Sequence, residues 1–228
     1  GMLCRRTDCT SLPSLSLPDR YLPFSSIGKS FAENNICEMG YAVSKIYARS
    51  IIEEFSIRFD ENIHCLEDLL FMYQYLLHCD YLVLNHMQNY VYVKHPFSLS
   101  HRIHSFESEY CCFVKYQQLL AEMMKVWKIQ VGDMVVTVNS MLVPFRRALK
   151  SDYQPDRTIP REMRVKHLKR MISESRDVFL KYYHPVFNTD KLGKVLLVFN
   201  CYILYDFYIR LLFRLNIGPV FYGPKHMY

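Results

Sequence analysis

From residue 105 onward, apolar residues return at helical spacing with little interruption. That periodicity commits about half of the 228-residue chain to packed helices. It predicts helices over about 105–127, 131–150, 161–183 and 189–215. Pro160 stands just before the third, where a missing N–H is no loss, and Gly218-Pro219 follows the fourth. The earlier region reads differently. Val43, Ile46, Tyr47, Ile51 and Phe55 are helically spaced within 42–55, and 66–79 reads as a second helix. Residues 56–59 suggest a short strand; 81–85 and 90–93 are β-branched and aromatic runs that suggest a hairpin. Residues 2–30, with Pro13, Pro18 and Pro23 among many serines, read as a loop or extended arm. The expected fold is α+β and mainly helical. It has an irregular N-terminal arm over 1–40, an α/β segment over 41–104 and a helical region over 105–228.

Composition narrows the class further. Apolar residues make up 50% and charged residues 22%, which excludes a disordered chain. No G-x-G-x-x-G, H-E-x-x-H or paired C-x-x-C occurs, so the common dinucleotide and zinc signatures are absent. Of eight cysteines, Cys111 and Cys112 are adjacent, and Cys65, Cys79 and Cys201 sit in apolar stretches. That arrangement reads as thiols in a reducing cytoplasm rather than as a disulfide framework. The 18 Tyr and 15 Phe suit a tyrosine-heavy core or half-buried surfaces.

The last predicted helix resembles a membrane span until its polar residues are placed. Lys194, Asn200, Asp206 and Arg210 interrupt it, and a charge at mid-bilayer costs about 3 kcal/mol. Asp206, Arg210 and Arg214 follow one another at i, i+4 and so share one face. Such a helix covers a core or lies in an interface, and core-covering is the commoner case. The net charge of +6 also has an address. Residues 144–176 hold ten Lys or Arg against four acids, which matches the excess of the whole chain. This reads either as a solvated face or as attraction to an anionic surface, such as the inner face of a membrane. No zinc finger or RNP-like motif accompanies it, so nucleic acid is not an expected partner.

Three constellations invite chemistry. Gly28-Lys29-Ser30 ends like a phosphate loop, but the required earlier glycine is Pro23, so the match is chance. His95, His101 and His104 lie near Ser98 and Ser100 without a carboxylate or thiolate at ligand spacing, and they read as a polar loop with no metal. The third is the run of acids Asp60, Glu61, Glu67 and Asp68. Glu67 and Asp68 open a predicted helix, where the dipole favours carboxylates. The same position suits a general base held at the end of a rigid element.

Around these acids the sequence resembles family 2 glycosyltransferases of the GT-A fold. Ser44-Lys45-Ile46-Tyr47 followed by Arg49-Ser50-Ile51-Ile52 is similar to "KLYRRxxI". Ile57-Arg58-Phe59-Asp60-Glu61 is similar to "I-x-FDE", and Leu66-Glu67-Asp68-Leu69-Leu70-Phe71 to "GEDxxF". Tyr90-Val91-Tyr92-Val93-Lys94 followed by Ser98 is similar to "Y-x-YR…S". The four motifs stand in the family's order within 41–101, about a quarter of the chain. Two positions depart: Leu66 replaces glycine, and Lys94 stands for arginine.

The resemblance implies inverting transfer of a hexose from a nucleotide-sugar, with Asp68 as base and Glu67 as its neighbour. It places Lys45 and Tyr47 on the wall of the site. Arg58, Asp60 and Glu61 would lie beneath it, with Tyr92 and Lys94 on the substrate side. It also implies a nucleotide-binding half before these motifs, with a D-x-D that holds a divalent cation, Mg or Mn. Only 40 residues precede Tyr41, and no D-x-D occurs in the sequence. The chain is therefore expected to be the acceptor-side portion and its C-terminal helices, with no cofactor of its own. Its expected partners are a sugar acceptor and a donor-binding partner chain or second copy. The competing expectation is a non-catalytic interaction or peripheral-membrane module.

Overall fold

The computed structural model describes residues 3–7, 10–11, 19–33, 36, 42, 44–85, 90–93, 102–185, 187–215 and 217. The chain is mainly helical with two small sheets, an α+β arrangement. It forms two units, Gly1–Leu99 with Val114–Met141, and Ser100–Phe113 with Leu142–Tyr228. These units cut across the segments expected at 1–40, 41–104 and 105–228, because α4 contributes to both.

The first unit opens with β1 (Leu3–Thr7), β2 (Thr10–Ser11), β3 (Arg20–Pro23) and α1 (Phe24–Glu33). An irregular arm over 1–40 is thus corrected: strands and a helix occupy much of it. Then come α2 (Arg49–Glu54), α3 (Glu67–Leu76), β4 (Tyr81–Leu84) and β5 (Tyr90–Val93). The expected strands β4 and β5 exist, but they do not form a hairpin with each other. β4 pairs antiparallel with β3, Leu22 opposite Leu82, and β5 pairs parallel with β1, Cys4 opposite Val91. β2 adds antiparallel to β1. The N-terminal strands therefore take the edges that a hairpin would have used. Pro23 is tolerated because it ends β3, where α1 begins at once.

The centre of this unit is aromatic. Phe31 of α1 meets Tyr73 of α3 edge-on at 5.4 Å and Trp127 at 5.2 Å. Tyr73 and Tyr116 share a hydrogen bond of 2.9 Å between their hydroxyls, so two buried polar tips satisfy each other. Trp127 and Tyr116 belong to α4 (Phe106–Trp127). Gly28 sits inside α1, and a Cβ there would lie 2.4 Å from Cβ of Trp127. The glycine of the apparent phosphate-loop tail thus serves close packing.

Two expectations near the acids are corrected. Residues 56–59 form no strand, because Ser56 is left-handed (φ 51°) and turns the chain. The helix expected over 42–55 shrinks to α2, because Ser44 is left-handed (φ 64°) and Ala48 is extended.

The second unit begins in α4 and continues through α5 (Val135–Ser151), α6 (Arg161–Glu174), α7 (Arg176–Tyr182), α8 (Asn188–Val198) and α9 (Tyr202–Arg214). A 3₁₀ turn, Val131–Met134, precedes α5. The two long helices expected at the C-terminal end are each broken, at Ser175 and at left-handed Asn200 (φ 57°). Phe113, Phe145, Phe179 and Tyr183 form a contiguous aromatic run at 5.0–6.0 Å.

Two buried ion pairs cross this packing. Arg147 donates to both carboxylate oxygens of Glu109, at 2.8 and 2.7 Å. Arg164 does the same to Asp206, at 2.6 and 3.0 Å, and Tyr153 donates to Asp206 at 3.1 Å. The cluster of positive charge read from the sequence is thus partly internal. Arg157 also points at backbone, donating to the carbonyls of Ile103, His104 and Ser151. The shared face of Asp206, Arg210 and Arg214 is corrected too. Each i, i+4 step advances about 40° around a helix, and Asp206 is buried while Arg210 and Arg214 are exposed.

Among the described residues no helix is long and apolar enough to cross a membrane. Cys65, Cys79, Cys111, Cys112 and Cys201 form no disulfide. His95 and His101 lie outside the described residues, and His104 binds through its backbone, its N–H donating to Glu109 at 2.8 Å.

The buried Arg164–Asp206 pair gives a direct test. Asp206→Ala leaves a buried guanidinium uncompensated and should cost about 3–5 kcal/mol. The double replacement Arg164→Met with Asp206→Leu should cost markedly less. Urea unfolding of both variants measures the difference.

Candidate functional site around Asp68

The site is built at the start of α3. Leu66, the residue before the helix, adopts φ 65° and ψ 15°. In an L-residue with a side chain this left-handed geometry costs about 1–2 kcal/mol. It turns the chain so that Glu67 and Asp68 occupy the first turn of α3. The helix dipole and open backbone amides there favour carboxylates. Oδ1 of Asp68 accepts from its neighbour Leu69 N–H at 2.8 Å, and the backbone N–H of Ala42 also donates to the carboxylate.

Burial nevertheless prevails. Desolvation, followed by the charge of Glu67, pushes the Asp68 carboxyl up to about 6. At neutral pH it is largely ionised, yet it remains close enough to that pH to accept a proton readily.

The wall opposite comes from residues 44–48, which run from left-handed Ser44 to extended Ala48 and pack against α3. Phe71 and Tyr75 follow Asp68 at i+3 and i+7, which puts all three on one face of the helix. Tyr47 meets those two rings edge-on, at 5.4 Å from Phe71 and 4.9 Å from Tyr75. The Tyr75 hydroxyl accepts from Ala48 N–H at 2.9 Å and fixes the strip. The Tyr47 hydroxyl and the Ser44 hydroxyl are buried and find no hydrogen-bond partner among the described residues. Burial, then the charge of Asp68, pushes the Tyr47 phenol up, so it stays a neutral donor. Burial lowers Lys45 to about 8, and Asp68 partly offsets the fall.

The structure thus brings together Lys45, Tyr47, Glu67 and Asp68. It places Arg58, Asp60 and Glu61 elsewhere. Arg58 binds Glu53 at 2.6 Å and the carbonyls of Ile52 and Ile57, tying the loop to α2. Asp60 accepts from Lys115 at 2.5 Å and from the Asn62 backbone at 3.0 Å, and Lys115 above all holds its carboxyl below the usual range. These two brace the loop leading to α3, and Glu61 is exposed. The backbone of Tyr92 lies in β5; its side chain, and Lys94 altogether, fall outside the described residues.

Sequence reasoning missed Tyr75, Phe71 and Ser44. The i, i+3, i+7 spacing from Asp68 was the available signal for the first two. For Ser44 no sequence signal announces a left-handed backbone.

Chemically, the arrangement offers a carboxylate base beside an ammonium group and two buried hydroxyls without partners among the described residues. No family model, curated protein or solved structure matches this chain.

Two measurements follow from this geometry. Leu66→Gly should be more stable than Leu66→Ala by about 1 kcal/mol, the reverse of the usual helix ranking, because only glycine adopts the left-handed turn without strain. Asp68 has a native pKa above its unfolded one, so its proton favours the folded state. That contribution falls as pH rises from the ordinary carboxylate range through about 6 and is flat above it. Asp68→Asn should therefore gain stability relative to the parent over that window, reaching about 1–3 kcal/mol above it. Thermal melts from pH 4 to 8 read this directly.

Proposed function

We propose that residues 44–85 form the acceptor side of an inverting glycosyltransferase resembling family 2 enzymes of the GT-A type, with Asp68 as its general base. The observation that carries the reading is the half-buried carboxyl raised to about 6 beside Lys45 and Tyr47. A second feature supports it. Leu66 is left-handed at the one place where the resembled "GEDxxF" motif has glycine.

Atoms and electrons balance in a single displacement. An acceptor hydroxyl gives its proton to the Asp68 carboxylate as its oxygen bonds to the anomeric carbon. The bond from that carbon to the donor's diphosphate oxygen breaks, and its electron pair leaves with the nucleoside diphosphate. Attack from the side opposite the leaving group inverts the anomeric centre. Tyr47, packed edge-on against Phe71 and Tyr75, forms the aromatic wall beside the base. Lys45 sets the local charge, and the neighbouring charge of Glu67 helps hold the Asp68 carboxyl up.

Family resemblance also implies a divalent cation. Among the described residues no three His, Cys, Asp or Glu side chains group as its ligands, and no step here runs through one. Donor binding is assigned to a donor-binding half outside this sequence, since the sequence carries no D-x-D.

The test is transfer from a panel of UDP- and GDP-sugars to hexose and oligosaccharide acceptors, by the chain alone and with a donor-binding partner. The expected kcat/KM profile is bell-shaped. Its acid limb is set by Asp68 at about 6, and its alkaline limb by Lys45 at about 8. Asp68→Asn should lower kcat about 10²–10⁴-fold and remove the acid limb. Undiminished transfer by that variant overturns the assignment.

A further inference from the structure

We infer that the outward face of α9 and the turn before it is a membrane-binding surface that takes an anionic lipid leaflet. α9 is apolar on both sides. Tyr205, Ile209 and Leu212 are buried with Asp206, yet Phe199 is 72% exposed, Ile203 59% and Phe207 64%. Leu204, Leu211 and Leu215 add to the same exposed set. Within α9, Ile203, Phe207 and Leu211 stand four apart and drift only about 80° around the axis, so they form a stripe on one side of the helix, while Phe199 precedes it in the turn at Asn200. Contiguous exposed apolar surface of this kind marks a docking site rather than ordinary surface.

Charge selects the occupant. The stripe borders a groove of about 640 Å³ in which Arg161, Lys169 and Arg210 accompany Ile203, Leu204 and Phe207. Arg214 extends the basic edge by one turn. None of these four cations makes an ion pair among the described residues. The one acid lining the groove, Asp206, is already bound by Arg164. A second copy of the same face would bring arginines against arginines, which disfavours self-association. A leaflet of anionic headgroups over acyl chains meets both requirements at once. Phosphates face the basic rim, and the apolar stripe enters the headgroup boundary. With 13 residues α9 is about 20 Å long, short of a span, so it lies in the plane of the interface. This surface is independent of the reading of Asp68, and a lipid assay and a transfer assay can fail separately.

The experiment is flotation of the full chain with phosphatidylcholine vesicles, with and without phosphatidylglycerol, over a range of NaCl. Binding should require phosphatidylglycerol and weaken with salt. Arg210→Ala should weaken it about fivefold, and Ile203→Asp with Phe207→Asp should abolish it. Lys29→Glu, in the other unit, should leave it unchanged. The replaced residues are exposed, so circular dichroism melts should stay at the parent value and show that loss of binding is not loss of fold. Failure of folded parent protein to float overturns the inference, as does equal binding to both vesicle types. A dimer in sedimentation that Phe207→Asp dissolves would assign the face to a second copy and overturn it as well.

Discussion

The bidentate pair of Arg164 with Asp206 decides how the second unit is arranged. α9 is apolar around most of its circumference, so hydrophobicity alone leaves its rotation undetermined. One buried carboxylate removes the ambiguity. It must meet a cation and the Tyr153 hydroxyl, and only one rotation brings it there. The residues on the other arc then stay exposed among the described residues. Ion pairs of this sort contribute little net stability, and their value lies in choosing among packings of similar energy.

In the first unit several unfavourable features meet at the start of α3. A leucine holds a backbone angle suited to glycine, a carboxylate is pushed out of water, and two buried hydroxyls find no partner among the described residues. Each opposes folding by an amount the surrounding core has to offset. That core is well satisfied a short distance away, where Tyr73 and Tyr116 complete each other's hydrogen bonds.

The helices from 105 onward were legible because their periodicity is long and strong, and α3 because acids precede a run of buried residues. Breaks at Ser175 and Asn200 were not legible, since neither glycine nor proline marks them. The strand pairing failed for a different reason. Adjacent runs suggest a hairpin by proximity, whereas β4 and β5 pair with partners some 60 and 90 residues earlier, information that local pattern does not carry. At the site, Glu67, Asp68, Lys45 and Tyr47 were found together through the resemblance. Arg58 and Asp60 stand in motifs of the same kind, but their side chains are used to brace a loop. A motif identifies which residues matter locally, and only their partners separate chemistry from support.

The packing of Trp127 over Gly28 has a practical corollary. It is the only tryptophan in the chain, and its ring rests on Phe31 within the first unit. Its indole emission, excited apart from the tyrosines, is therefore a built-in optical reporter for that unit. The second unit, with no indole, is silent in the same channel. A fluorescence transition that departs from the far-ultraviolet one would show the two units melting as separate cooperative bodies.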